Sequence, residues 1–401
     1  MTRTLPLAVV GCDFRVASSA WRNALLLTPE ERVELASALR KTSQVRGFVV
    51  LETCNRVEWV IDADQPRWAA GLARAQMMTR FPVGGGIPEP YIHVGEAAAE
   101  HLIRVALGME SFVLGEREIA GQLNRAMDEA RAQGLASAHL GALQTTLGRA
   151  VKRVHRLTRF GAKTRGVHGL AVDTLRARLG EPVTGRWEVA VLGMGEVGKK
   201  AAELAQRIPA WRVTCANRTV GEQPWLSLQE AVEQLEQFDA LIVATGARRP
   251  PICLDVADRA KPLTVIDLGA PAQVTVQRPS MAVEVLGLDD LLTQGLRPFD
   301  DRDLFRAVEF VQDAVTEFRA ACLKQGVAPL LRGVWDHYDT LTHERLPSLL
   351  DQRLSSTLDE AERGRLHLQM RDELRAYTRA IIEQIESSLG VVGRGDEAST
   401  D

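Results

Sequence analysis

At 401 residues the chain is long enough for two or three domains of roughly 100–200 residues each. Hydrophobic residues make up 45% and charged residues 25%, a globular balance that excludes a disordered or fibrous chain. No apolar run reaches the roughly 18 residues that cross a bilayer, and a net charge of −3 excludes a uniformly basic surface, though a local basic patch still fits.

The opening MTRTLPLAVVGCDF lacks a signal-peptide layout and reads as a first strand over 7–12. The five cysteines, Cys12, Cys54, Cys215, Cys253 and Cys322, have neither disulfide-framework nor zinc-site spacing. A reducing cytoplasmic setting without a bound metal is the expectation. Residues 29–41 carry helical periodicity behind a Thr28 cap. GFVVLE (47–52) and VEWVI (57–61) read as strands around the turn TCNR, and the cluster PVGGGIPEP (82–90) reads as a loop. Strand, helix, strand and turn together predict a small α+β domain.

Residues 96–107 are helical, with Ala98, Leu102, Val105 and Ala106 on one face. The stretch 117–160 has few breakers and many Arg, and predicts one long helix that links domains. Its basic end, Arg149 to Arg165, either cradles phosphate or forms a solvated face. From Trp187 onward, WEVAVL, WRVTCAN, FDALIVATG and LTVIDLG alternate with helical segments, the pattern of a covered parallel sheet. After Pro298 the chain reads as all helix. Leu304, Val308, Val311, Val315, Phe318 and Cys322 step by four and three, a heptad-like stripe. Leu331, Val334, Tyr338 and Leu341 are expected on a second helix, and Met370, Leu374, Tyr377 and Ile381 on a third. An appendage of under 100 residues has little core of its own, which predicts a two-fold dimer seam there rather than a monomeric bundle. On that expectation, removal of everything after Pro298 leaves a soluble monomer. The terminal VVGRGDEAST reads as a disordered tail.

GMGEVG (193–198) is a GxGxxG between a strand and a helix, so Gly193, Met194, Gly195, Glu196, Val197 and Gly198 are expected to cradle a dinucleotide pyrophosphate. A glycine turn that binds nothing is the plain alternative. At the end of the second strand stand Asn217, Arg218 and Thr219, where an NAD site usually has an acid. Arg218 there favours a 2′-phosphate and hence NADPH, unless it is a solvated surface residue. Cys54 falls on a turn beside Arg56, whose charge would raise its thiolate fraction, although a free Cys is usually a small buried hydrophobe. His101 lies at the edge of an apolar helical stripe, either as a satisfied core residue or as a catalyst.

The order of TCNRVE, HLIRVALGMESFVLGEREIAGQ, GMGEVG, ANRT and VIDLGAP resembles the glutamyl-tRNA reductase family over nearly the whole chain. The pairing of TCNR with the segment Ser111 to Gln122 is the specific part; GMGEVG with ANRT also looks like shikimate dehydrogenase. The resemblance implies NADPH-dependent reduction of glutamyl-tRNA to glutamate-1-semialdehyde for tetrapyrrole synthesis, through a thioester on Cys54. It places a histidine important to activity at His101, and glutamate recognition at Thr53, Asn55, Arg56, Ser111, Glu116, Arg117, Glu118 and Gln122. Arg56 is the expected partner of a substrate carboxylate.

It further implies a multi-domain α/β homodimer: a catalytic α+β domain (1–157), a Rossmann-type NADP-binding domain (158–297), a helical dimerisation domain (298–390) and a tail (391–401), with a long helix joining domains. Glutamyl-tRNA and the aminomutase that takes up the aldehyde would be partners. Departures from the family are Asp13-Phe14-Arg15-Val16-Ala17-Ser18 for N-H-K-T-A-P, His155-Arg156-Leu157-Thr158 for R-T-E-T, Gly166-Val167-His168 for S-V-S and Ala270-Pro271-Ala272-Gln273 in place of V-P-R-D. The stretch after ANRT is about a dozen residues short, which predicts a trimmed helix–strand unit. Two other classes compete: a non-catalytic relative that binds tRNA or a pathway enzyme, and a shikimate-dehydrogenase-like oxidoreductase.

Overall fold

The computed structural model describes residues 4–82, 86–162, 166–219, 225–246, 252–256, 259, 261–278, 282–292 and 301–388. The 391–401 tail and the basic residues Lys163 and Arg165 lie outside the described residues. Strand β1 (Leu7–Asp13) is buried at all seven positions because it is flanked on both edges. Helix α1 (Ser19–Asn23) and helix α2 (Pro29–Ser43) follow. The expected cap is present: Thr28 Oγ1 accepts from Glu31 N–H at 3.2 Å while the Glu31 carboxylate accepts from Thr28 N–H at 2.7 Å. Strands β2 (Val45–Glu52) and β3 (Arg56–Ala63) form the hairpin that TCNR turns, and α3 (Pro66–Met78) leads to β4 (Tyr91–Val94). The sheet runs β2-β3-β1-β4, and its pairs are antiparallel.

Helices α4 (Glu96–Ala106), α5 (Glu118–Ala132) and α6 (Ala138–Leu157) pack behind this sheet. The single long helix expected over 117–160 is therefore two. Gly134, at φ +68°, takes the left-handed position that ends α5, and Leu135 N–H returns to Ala130 O at 2.8 Å. Ser137 then caps α6 through Leu140 N–H at 3.2 Å.

The parallel sheet is built from α7 (Gly166–Leu179), β5 (Trp187–Leu192), α8 (Glu196–Gln206), β6 (Trp211–Asn217), β7 (Leu226–Ser227), α9 (Leu228–Glu233), β8 (Ala240–Val243), β9 (Ile252–Asp255), β10 (Leu263–Asp267), β11 (Val274–Arg278), β12 (Val283–Leu286) and α10 (Leu288–Leu292). Its order β12-β10-β8-β5-β6-β7 is the doubly wound order, with the switch point beside β5. Strands β9 and β11 form a separate parallel pair. Strand β7, at the sheet edge, is two residues long and pairs parallel with the end of β6.

The long helix of the chain is α11 (Asp301–Thr340), forty residues and about 60 Å at 1.5 Å per residue. Its stripe is not free for a partner. Val311, Val315, Phe318 and Cys322 are buried in the same core as β1 to β4, with Leu304 and Val308 packed against that core. Arg319 pairs with Glu96 at 2.5 Å, and the Arg153 guanidinium sits 4.6 Å from the Phe310 ring centre. Leu331, Val334 and Tyr338 continue on α11 itself, not on a second helix. A π turn, Leu341–Arg345, leads to α12 (Leu346–Leu354) and α13 (Glu360–Ser388). Tyr338 Oη donates to Arg371 O at 3.2 Å, tying α13 back to α11. Tyr377 (74% exposed) and Ile381 (49%) leave an apolar face of α13 uncovered in the single chain. Among the described residues, no helix is long and apolar enough to cross a membrane.

Because Phe318 completes the core behind the first sheet, Phe318→Ala should destabilise that core by about 3–5 kcal/mol. Urea unfolding followed by amide hydrogen exchange of β1 and β3 measures this; a loss under 1 kcal/mol would mean the stripe belongs elsewhere. Truncation after Pro298 should likewise give an aggregating chain and not the soluble monomer expected from sequence.

Candidate active site

The turn between β2 and β3 is held from within by Thr53, whose Oγ1 accepts from the N–H groups of Asn55 and Arg56, both at 3.1 Å. From outside, Phe14 N–H donates to Asn55 O at 2.9 Å, and Arg22 Nη2 donates to Cys54 O at 2.8 Å. Cys54 is thus presented on a fixed turn. It packs against an apolar cluster that also contains Phe112, Val167 and Met194, so hairpin and glycine turn share one core. Asn55, 1% exposed, donates through Nδ2 to Glu116 Oε1 at 3.2 Å, and its Oδ1 has no hydrogen-bond partner among the described residues. Buried Ser111 also interacts with the Glu116 carboxyl. Burial, with the charge of Glu118 beside it, lifts the Glu116 carboxyl to about 7. Burial and Glu116 push the Cys54 thiol up to about 12, against the opposing charge of Arg22.

Arg56 corrects the sequence expectation. It is fully buried, and its Nη1 donates to Glu58 Oε1 at 2.8 Å while Nη2 donates to Glu110 O. It is therefore not presented to a substrate carboxylate, and Arg22 is the cation whose charge acts on the thiol. His101 Nε2 lies 2.8 Å from the same Glu58 oxygen, Tyr91 Oη also donates to it, and the His93 ring stacks on His101 at 4.3 Å. Burial disfavours the Glu58 anion, but His101 and Arg56 outweigh it and hold the carboxyl well below its ordinary value. The core reading of His101 is thus satisfied by Glu58. Glu58 was missed, yet Arg56 and Glu58 are two apart on β3 and must share a face.

At the glycine turn, Gly193 has φ +96°, and a Cβ on Gly198 would come within 1.7 Å of Gly193 O. A Cβ on Gly195 would meet nothing within 4 Å, so the backbone there is open ahead of α8. Met194 N–H donates to Asn217 Oδ1 at 3.3 Å, and Asn217 Nδ2 donates to Thr219 O at 3.3 Å, which locks the β6 end to the turn. Arg218 and Thr219 are exposed, and Arg218 makes no ion pair among the described residues. Val197 packs partly buried, while Glu196 faces Lys200 at 3.1 Å and Arg125 at 3.7 Å.

Glu118 bridges the two units: Lys200 Nζ on α8 donates to it at 2.7 Å, and His168 on α7 lies 3.5 Å away. Arg117 is exposed at the start of α5. Gln122 lines a surface depression with Arg32, Glu52, Arg125 and Glu129. The structure therefore gathers Thr53, Cys54, Asn55, Ser111 and Glu116, sets Arg56 and His101 in a buried network behind them, and leaves Arg117 and Gln122 outward. Sequence reading missed Arg22, Lys200, His168 and Asp289, none of which carries a local motif.

Residues 10–158 match the family model described as the N-terminal domain of glutamyl-tRNAGlu reductase, a span that holds the Cys54 turn and Glu116. The glutamyl-tRNA reductase of Bacillus velezensis is 27% identical over 406 residues, covering 94% of this chain and 85% of that one. The chain is thus similar to glutamyl-tRNA reductases over most of its length, and its residues 10–158 to their N-terminal domain. The glutamyl-tRNA reductase of Pseudomonas aeruginosa is 27% identical over 371 residues, covering 88% of this chain and 87% of that one. A solved glutamyl-tRNA reductase structure from Methanopyrus kandleri covers 97% of this chain and 100% of that chain, at 22% identity and a TM-score of 0.44.

The raised Glu116 carboxyl has a stability signature. Between the ordinary 4.5 and about 7, the folded chain keeps a proton that the unfolded chain releases. Stability from this group therefore falls as pH rises through that window and is level above it. Glu116→Gln should remove that slope in urea midpoints taken from pH 4.5 to 8; an unchanged slope would place the titration elsewhere.

Proposed function

We propose that this chain is an NADPH-dependent glutamyl-tRNA reductase that forms glutamate-1-semialdehyde through a thioester on Cys54, the first step of the C5 route to tetrapyrroles. The observation that carries this reading is that the Cys54 turn and Met194 of the glycine turn pack into one apolar cluster, beside Asn55 and Glu116. Relatives of that name cover most of the chain.

The Cys54 sulfur attacks the glutamyl ester carbonyl, a C–S bond forms, and the C–O bond to the terminal ribose of the tRNA breaks. The thiol must first lose its proton, and Glu116, poised near neutrality, is the carboxyl whose charge reaches it. The proton then leaves with the ribose oxygen. Asn55 Oδ1 is a buried acceptor in need of a donor, which suits the substrate ammonium. Thr53 and Ser111 hold the turn and the Glu116 carboxyl. Arg117, Glu118 and Gln122 act further out, Glu118 by joining the units. His101 acts through Glu58, keeping Arg56 and β3 fixed behind the thiol.

The glycine turn fits a dinucleotide: the approach at Gly195 is open and α8 begins there. When bound, a reduced nicotinamide supplies the hydride that converts the thioester to aldehyde and releases the thiolate. Gly193, Met194, Gly195, Glu196, Val197 and Gly198 form the cradle, Asn217 and Thr219 its edge, and exposed Arg218 meets the 2′-phosphate. Arg149, Lys152 and Arg156 are exposed within an arc of roughly 60° on α6, a face suited to the phosphates of tRNA. We assign residues 1–157, with the α11 stretch 304–322 that completes their core, to catalysis, 158–297 to the nucleotide and the remainder of 298–390 to assembly as a homodimer through the uncovered face of α13. The aldehyde passes to an aminomutase, and the setting is cytoplasmic.

Incubation with glutamyl-tRNA in the absence of NADPH should leave a hydroxylamine-sensitive glutamyl thioester on Cys54. Cys54→Ser should lose it, together with at least 1,000-fold of the aldehyde formation, since a hydroxyl is a poor nucleophile at neutral pH. A protein that binds the tRNA and never forms the thioester would be a non-catalytic relative. Arg218→Ala should weaken NADPH binding about tenfold or more and leave NADH binding within twofold, with a smaller effect at high salt. Equal losses for both nucleotides would remove Arg218 from that role.

A further inference from the structure

Arg22 is 2% exposed on α1, between β1 and α2. Its Nη1 donates to Ala17 O, and its Nη2 donates to Cys54 O at 2.8 Å and lies 3.9 Å from Asp289 Oδ1. Asp289 belongs to α10 of the nucleotide unit. Its other oxygen accepts from Ser19 N–H at 3.3 Å and from Ser19 Oγ–H at 3.1 Å. A guanidinium keeps its charge when buried, so a permanent cation is fixed against the peptide that bears the thiol. The charged groups acting on Cys54 are Glu116 and Glu118, which disfavour its thiolate, and Arg22, which favours it. Arg22 in turn feels Asp289, Asp13 and the two cysteines Cys12 and Cys54.

We propose that Arg22 is the positioning residue of the Cys54 turn and the cation that supports its thiolate, and that Asp289 of the nucleotide unit draws on the same guanidinium and tempers it. This rests on the reading of Cys54 as nucleophile. One guanidinium serves two anions. The Asp289 carboxylate is present while the two units are docked as seen here, and it offsets part of the charge that would otherwise fall on sulfur. The reactivity of the thiol then depends on a residue 235 positions away, in the unit that is to hold the hydride donor.

The test is the pH dependence of Cys54 alkylation by iodoacetamide in the full chain, read by mass spectrometry of the Cys54 peptide so that Cys253 and the other thiols do not interfere. Arg22→Gln should raise the midpoint by about one pH unit or more and slow alkylation at pH 8 at least tenfold. Arg22→Lys, which keeps the charge, should recover most of the midpoint shift. Asp289→Asn should move the midpoint the other way and speed alkylation at pH 8 by about threefold or more. A purely structural clamp would change melting temperature in these variants and leave the midpoint alone. A wild-type midpoint in Arg22→Gln overturns the role of Arg22, and a wild-type midpoint in Asp289→Asn overturns the tempering. If Arg22→Gln does not fold, Arg22→Lys and Asp289→Asn decide the matter: a lysine midpoint shifted as far as one unit would overturn the charge argument. Thioester trapping on the wild-type chain is scored separately. Its absence removes the nucleophile reading whatever Arg22 does, whereas its presence with an unmoved Arg22→Gln midpoint removes the present inference alone.

Discussion

The Glu58 carboxylate lies inside the first sheet with no exposure to water, and it must remain charged there or leave Arg56 unpaired. Ionised groups in a dry interior persist when partners surround them, and Arg56, Tyr91 and His101 each contribute one. Those three come from β3, β4 and α4, so a single anion sets the distance between the strands and the helix behind them. The hairpin turn ends at Asn55, the residue next to Arg56. Its geometry inherits this rigidity, and the thiol on it sits where the buried network leaves it. Removing one member of such a cluster is costly, about 3–5 kcal/mol, because the remaining charge is stranded.

A second layer depends on the first. With the hairpin fixed, Asn55 can hold Glu116, and Glu118 two residues later can reach Lys200 and His168 across the domain junction. Arg125 and Glu196 add a weaker exposed pair at the same boundary, where screening leaves little energy. The contacts between the units are thus polar and few in kind around an apolar patch of Phe14, Phe112 and Met194.

Much of this architecture was legible in the amino-acid pattern, and the misses have physical reasons. Thr28, the run LAVVGC and the glycines of GMGEVG each carry a local signal, and each element formed where that signal stands. Gly134 was also a local signal, a breaker inside an otherwise periodic stretch, and it divides the expected linking helix. The stripe from Leu304 to Cys322 reports that a helix face is buried and is silent about what buries it; the partner proved to be the first domain of the same chain. Arg56 looked available because neighbours in sequence were counted, while its real partners include a glutamate on the same strand face and a carbonyl 54 residues away. Arg22 and Asp289 come together only through the fold, so no window of sequence contains both.

The burial of α11 against the first domain makes that domain discontinuous: its core is completed by Ala307, Val311, Ala314 and Phe318, after the whole nucleotide unit has been made. During synthesis, the apolar flanks of α4 and α6 emerge about 150 residues before the helix that covers them. At roughly 5–20 residues per second, the ribosome leaves them bare for on the order of ten to thirty seconds. The nucleotide unit, contiguous in sequence, has everything it needs to fold during that interval. Nascent chains of this protein therefore carry uncovered apolar surface on the first domain until the first turns of α11 have been made.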